Sequence, residues 1–218
     1  MHFFDIDSPV IRFMTVVYEL ILLNIYFLAT CVLTLGVGTG AGMTAMIYAI
    51  YHGLRREEGG LRKLYFKSLK MNFKQVTPIW ILMMFIAGVA VFNILNVGIV
   101  RELGFALIAF QYVVLYEVFV ISIYLFCIHA KLQMTNLDAV KSAFIMSHKH
   151  LVLTLLLIAF FVIETIGSYM ISGLYLILTF SLWAYVLERV VLEGVIIKKY
   201  VSEDVRESLS IEPFKEMK

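Results

Sequence analysis

From Ser8 to Lys199 the chain is one apolar stretch after another, each about as long as a bilayer is thick. A helix rises 1.5 Å per residue and the hydrocarbon layer is about 30 Å thick, so about 20 apolar residues make a span. Val10 to Leu35, Val76 to Val100, Leu103 to Ala130, Leu151 to Ile171 and Leu174 to Ile197 meet that length. Gly36 to Leu54 is shorter and opens on glycines, so it reads as a sixth span or as a re-entrant half-helix. Hydrophobic residues make up 61% of the 218 and charged ones 16%, more apolar surface than a water-soluble core hides.

Positive charge orders these segments. Arg55, Arg56, Arg62, Lys63, Lys67, Lys70 and Lys74 fall in one interval and are seven of the 18 basic residues, which places that loop in the cytoplasm. Lys131, Lys141 and Lys149 with His148 and His150, and Lys198 and Lys199 with the tail, belong on the same side. The turns Asn96 to Glu102 and Gly167 to Gly173 hold one basic residue between them, Arg101. The expected architecture is an all-α polytopic transmembrane bundle with six spans in three hairpins and both termini cytoplasmic. Residues 1–200 form one integral membrane domain, and residues 201–218 a short polar cytoplasmic tail. The N-terminal segment has no basic region ahead of its apolar run, so a cleaved signal peptide is not expected.

Short helices are expected on the inner side. Leu61 to Lys74 puts Leu61, Leu64, Tyr65, Leu69 and Phe73 near one stripe with lysines around it, the pattern of an interfacial helix under anionic headgroups. Ser8-Pro9 and the Thr135 to Asp138 capping box are helix starts.

The net charge of +2 gives no reason to expect nucleic acid. Cys31 and Cys127 lie inside apolar spans and read as buried thiols, and no residue pattern calls for a cofactor or a metal. Gly36, Gly38, Gly40 and Gly42 superficially resemble a dinucleotide fingerprint but follow no strand; at four-residue spacing they suit close helix packing.

Ionisable residues within the bilayer are costly, so each is a functional candidate. Glu117 lies 16 residues from Arg101 and 14 from Lys131, near the midplane, with Tyr124 on the same face to share a proton. Glu19 and Arg189 lie at matching depth on the first and last spans and are expected to pair, with Glu193 competing for the guanidinium one turn along. Glu164 is expected to be hydrated, Glu188 has no obvious partner, His52, His148 and His150 read as interfacial bases, and Trp80 as an aromatic-belt residue. The inner-face surface for lipid or a partner comprises Arg55, Arg56, Arg62, Lys63, Lys67, Lys70, Lys74 and Lys141.

Three stretches together resemble the YesL-like family of bacterial integral membrane proteins: Leu20 to Gly36, Met43 to Leu82 and Ala139 to Leu157. The middle one is the most specific, with Thr44-Ala45, the charged turn Arg55 to Glu58 and Asn72-Phe73-Lys74-Gln75. Leu33-Thr34-Leu35-Gly36 departs from the family, which commonly has a proline ahead of a T-x-G turn after the first span; here the proline is missing and extra glycines follow. The resemblance implies a bacterial plasma-membrane protein. It also implies a non-enzymatic accessory role in carbohydrate uptake or envelope polysaccharide metabolism, with a sugar-uptake permease or a polysaccharide enzyme as partner beside membrane lipid. A homo-oligomer is left open. The alternative function is a small-solute or proton-coupled transporter or channel that uses Glu117.

Overall fold

A computed structural model describes residues 9–56, 59–96, 105–132, 134–170 and 176–201. Ser8, the turns after Asn96 and Met170, and the tail beyond Val201 lie outside them. Among the described residues the chain is all helix: α1 (Pro9–Leu33), α2 (Thr39–Ala49), α3 (Leu61–Leu95), α4 (Phe105–Lys131), α5 (Asn136–Lys149), α6 (Leu151–Met170) and α7 (Leu176–Leu187). α2 runs on into a π-helical segment, π1 (Ile50–Arg55), and α7 into another, π2 (Glu188–Tyr200). Among the described residues four helices, α1, α3, α4 and α6, are long and apolar enough to cross a membrane.

Burial divides the bundle along its length. α2 is buried from Gly40 to Ala49, apolar all round as a helix enclosed on every side must be. α1, α3, α4 and α7 pack around it, and the core they share with π2 holds Tyr65, Tyr124, Leu125, Ile128, Leu192 and Ile196 as fully buried side chains. Beyond this core the helices stand apart. Only 11% of the most apolar stretch of α3 and 17% of that of α6 is buried, against 56% in α4. Phe85, Phe92, Leu95, Val152, Leu156 and Ile163 are exposed. Contiguous apolar surface on that scale is not maintained against water, so this half faces lipid.

α3 is one unbroken helix of 35 residues, about 52 Å at 1.5 Å per residue. The stretch Leu61 to Lys74 is therefore not a separate interfacial helix but the first part of α3, continuous through Pro78. Val76, Met83 and Ala90 are buried at seven-residue intervals, the seam on which the second half packs. Gln75 fixes where α4 ends: its amide donates to the Met134 carbonyl at 2.6 Å, and Asn136 donates back to the Gln75 carbonyl at 3.0 Å. α5 then starts as the sequence expects, with the Asp138 N–H donating to Thr135 Oγ1 at 3.4 Å.

The turn between α1 and α2 is a Schellman motif. Gly36 N–H bonds to the Cys31 carbonyl at 2.8 Å and Leu35 N–H to the Val32 carbonyl at 3.2 Å. The left-handed position usually given to glycine is held by Leu35 at φ 51°, with Gly36 following at φ 82°. This turn stands against Trp80, whose indole N–H donates to the Gly36 carbonyl at 3.4 Å. Gly40 lies under the same ring, where a β-carbon would come within 2.9 Å of it. Trp80 is thus a packing residue of the α1–α2 turn, joined to α4 through Phe126 with ring centroids 5.4 Å apart, rather than a belt residue.

Candidate functional site

The two π-helical segments meet the C-terminal end of α4, and four buried ionisable groups lie there. π geometry is uncommon and occurs mostly as single turns at functional sites; π2 extends over 13 residues. π1 supplies Tyr51 and His52, α4 supplies Cys127, His129 and Lys131, and π2 opens with Glu188. His52, His129, Lys131 and Glu188 are all buried.

Lys131 organises the cluster. Its Nζ lies 3.5 Å from Nε2 of His52 and 4.7 Å above the centre of the Tyr51 ring. An ammonium carries donors only, so this contact requires a neutral imidazole with its proton on Nδ1. Burying an ammonium costs several kcal/mol, and a desolvated aromatic face returns about 2 kcal/mol of that. Tyr51 also carries Arg56, which donates to the phenol oxygen at 3.0 Å. Tyr48 also packs against His52, ring centroids 4.3 Å apart. One turn before Lys131 on the same face of α4, the Cys127 thiol points at the Leu187 carbonyl, 3.8 Å away at the start of π2. Nε2 of His129 finds no hydrogen-bond partner among the described residues. The arrangement holds a cation beside an imidazole at the junction of three helical segments.

The expected site residues are distributed differently. Glu117 and Tyr124 do not meet. Glu117 Oε1 pairs with His148 Nε2 of α5 at 3.2 Å on a partly exposed surface. Tyr124 is fully buried and shares a hydrogen bond of 2.9 Å with Thr154. The hydroxyl of Thr154 in turn donates toward the carbonyls of Ser147 and His150 at 3.0 and 3.1 Å, so Tyr124 is spent on tying α4 to the start of α6. Arg189 binds Glu193 one turn along π2 at 3.6 Å, and not Glu19. Glu19 instead faces a cleft shared with Arg62.

Other groups also depart from the expectation. Glu164 is buried, 4% exposed, with both carboxyl oxygens unpartnered among the described residues, where a hydrated acid was expected. His52 is a core residue, and Lys131 belongs to the core rather than to an inner loop. His150 contacts the Tyr200 hydroxyl at 3.2 Å. Of the inner-face basic residues, Arg56, Arg62, Lys63, Lys67, Lys70, Lys74 and Lys141 are exposed, while the side chain of Arg55 lies outside the described residues. Both cysteines are free thiols.

His52 and Lys131 escaped the sequence reading because each stands at the polar end of an apolar run, where basic residues ordinarily mark a membrane boundary. The available signal was local: Tyr48 stands one turn before His52 and Tyr51 immediately before it, and both rings lie against the imidazole.

Fold and site define a helical membrane protein with a densely packed apolar core, holding a cluster of buried ionisable groups, at one end and lipid-facing helices at the other. Residues 20–94 match the family described as "Protein of unknown function, DUF624", of which YesL is a member. The match covers α1 from Leu20 on, α2, π1 and all but the last residue of α3, and does not reach Ala139 to Leu157. No curated protein and no solved structure matches the chain.

Proposed function

We propose that the protein is a non-enzymatic accessory or scaffold of the membrane that presents its basic inner face to lipid and to a membrane-protein partner. The observation that carries this reading is the exposure of Arg62, Lys63, Lys67, Lys70 and Lys74 along the first half of α3, together with Lys141 on α5. Three pairs of polar groups in the core are engaged with one another: Thr30 with Tyr65 at 2.9 Å, Tyr124 with Thr154, Lys131 with His52. Such bonds hold helices in fixed register and leave the exposed charges as the chemistry offered outward. The partner class we favour is a sugar-uptake permease or an envelope-polysaccharide enzyme, which rests on the family resemblance alone.

The topology belongs to the same proposal. Both termini lie on the cytoplasmic side, and the α3–α4 and α6–α7 hairpins cross the bilayer. The α1–α2 hairpin enters it without crossing, in place of two of six full spans. Its turn exposes Val32, Leu33 and Leu35, the last at 92%. It also stops beside Trp80, about 22 Å short of the end of α3 at 1.5 Å per residue. A turn so apolar is stable in hydrocarbon and not in water.

Photocrosslinking from Arg62, Lys67 and Lys141 in native membranes tests the surface. A defined membrane protein captured at these positions and lost on charge reversal at Lys67 and Lys70 supports the reading. Capture of lipid alone from all three positions, with the protein functional, overturns the partner. One observation favours a second reading, transport: Glu117 and His148 form an acid–imidazole pair able to exchange a proton. On that reading Glu117→Gln abolishes a solute-dependent phenotype while expression is kept.

A further inference from the structure

α6 is an apolar helix long enough to span a bilayer, and it buries three side chains: Thr154, Leu157 and Glu164. Glu164 is 4% exposed, and neither of its carboxyl oxygens has a hydrogen-bond partner among the described residues. It stands one turn past Phe160 and Phe161 on the same face of the helix. Those two rings pack on Trp183 of α7, with centroids 5.9 and 5.2 Å from the indole. Phe161 also meets Phe119 of α4 at 5.0 Å. The carboxyl thus continues the face by which α6 meets α7, while Ile163 and Ile166 beside it are exposed.

The helices packed against α6 bring no charge to this carboxyl. α7 carries none from Leu176 to Leu187, and its one titratable group, Tyr185, lies past Trp183 toward the opposite end. On α4, Glu117 is held by His148 of α5 and Tyr124 by Thr154, and Tyr112 and Tyr116 make no bond to Glu164. α6 meets α4 first at Thr154 against Tyr124 and then at Phe161 against Phe119, so Glu164 lies further still from Cys127, His129 and Lys131. On α5, Asp138 is taken up in the capping box, Lys141 is exposed and Lys149 lies over the Tyr200 ring. An ionised carboxylate at Glu164 would have neither a cation nor a donor, so the neutral acid is the form this packing accepts.

We propose that Glu164 is a proton-binding site of the α6–α7 hairpin: the bound proton keeps the two helices together, and its release to water parts them. The ion needs water and the closed hairpin gives it none, so deprotonation and separation of α6 from α7 are one event. Glu164 is six residues from Met170, about 9 Å at 1.5 Å per residue. Toward the other end the rings of Phe160, Phe161, Trp183 and Phe119 fill the way, so water meets the carboxyl from the Met170 side. On opening, the O–H bond breaks, the electron pair stays on the carboxylate oxygen and the proton passes to water; closure takes a proton back. The site is separate from the inner-face surface proposed above and does not depend on it.

Infrared spectra of the full chain in nanodiscs test the protonation directly. At pH 6 wild-type protein is expected to show the carbonyl stretch of a carboxylic acid that Glu164→Gln lacks, and the band should fall at least fivefold by pH 9. Trp183 reports the opening, and Trp80, the other tryptophan of the chain, is common to both proteins and subtracts out. Acrylamide quenching should rise at least threefold more in wild type than in Glu164→Gln between pH 6 and pH 9. Glu164→Asp, which keeps the acid, should retain both responses. An apolar carbodiimide, which adds to a carboxylic acid across its N=C=N group and keeps every atom of both, reads the site in wild type without any variant. At pH 6 it should modify Glu164 at least tenfold faster than Glu117. No acid band in the difference between wild type and Glu164→Gln, or a band unchanged from pH 6 to pH 9, overturns the proposal. So does a rise in quenching that persists in Glu164→Gln, or modification of Glu117 as fast as Glu164.

Discussion

The ammonium of Lys131 lies 3.5 Å from Nε2 of His52, and both side chains are buried between α4 and π1. The contact joins residues 79 apart in sequence and carries a charge into a site enclosed by tyrosine rings.

Coupling between these two residues is the first prediction. His52→Phe keeps an aromatic ring against Tyr48 but removes the acceptor of the Lys131 ammonium. Lys131→Met removes the charge and keeps much of the stem. Each single change is expected to lower the melting temperature in detergent. The double change should cost less than the sum of the two, with a coupling of about 1 kcal/mol or more. Strict additivity would show that the contact contributes no stability of its own.

Gly40 gives a second, steric prediction. A β-carbon there lies 2.9 Å from the Trp80 side chain and 3.2 Å from Phe126, so Gly40→Ala pushes α2 away from both α3 and α4. Overpacking of this kind costs about 1 to 3 kcal/mol. Gly88 stands further along the bundle in α3 with nothing within 4 Å of the added carbon. Gly88→Ala is therefore expected to gain up to about 1 kcal/mol from helix propensity. Parallel melting curves of the two alanine variants check the contrast, and a Gly40→Ala protein as stable as wild type would remove the close contact.

Helix content and the membrane character of the chain were legible because both follow from composition and the length of apolar runs. The capping box at Thr135 and Asp138 was legible for a similar reason, since its chemistry is local. Glu193 was legible as the local competitor of Glu19 for Arg189, and that pair forms one turn along π2. What the sequence did not disclose was non-local. Tyr124 and Glu117 share an expected face, yet α6 brings Thr154 to one and α5 brings His148 to the other. Loop charge marks sidedness, but it does not report how deep a hairpin goes. The position of the α1–α2 turn along α3 is fixed by Trp80 against Gly36, a contact that periodicity in neither segment encodes.

His150 sets a pH dependence. It lies at the turn between α5 and α6, against Tyr200, where burial, then Lys199 and Lys149, push its pKa below the usual imidazole range. The folded state therefore prefers the neutral ring more than the unfolded chain does. The contribution to stability is fully present above the unfolded pKa of about 6.5 and is lost as pH falls through the lower folded value. Melting temperatures recorded from pH 8 down to pH 5 should decline over that window, and His150→Gln should flatten the decline. An identical slope in the variant would assign it to other groups.

The last prediction concerns how far the first hairpin reaches. In a background with Cys31 and Cys127 replaced by alanine, single cysteines at Gly60 and Asn136 should resist an impermeant maleimide added to intact cells and react after permeabilisation. A cysteine at Val97 should react from outside. Thr39 is the deciding position. If α1 and α2 crossed fully, Thr39 would sit at the outer surface. The second half of α3 would then extend about 22 Å past it at 1.5 Å per residue, carrying Leu82, Phe85, Phe92 and Leu95 exposed into water. At about 25 cal/mol per Å² of apolar surface that arrangement costs several kcal/mol, whereas a turn ending in hydrocarbon leaves both Leu35 and Phe92 in lipid. Thr39 is accordingly expected to stay unlabelled from outside, and to react poorly even after permeabilisation because the surrounding medium is apolar. Rapid labelling of Thr39 in intact cells, at a rate matching Val97, would restore a full first hairpin and with it six crossings.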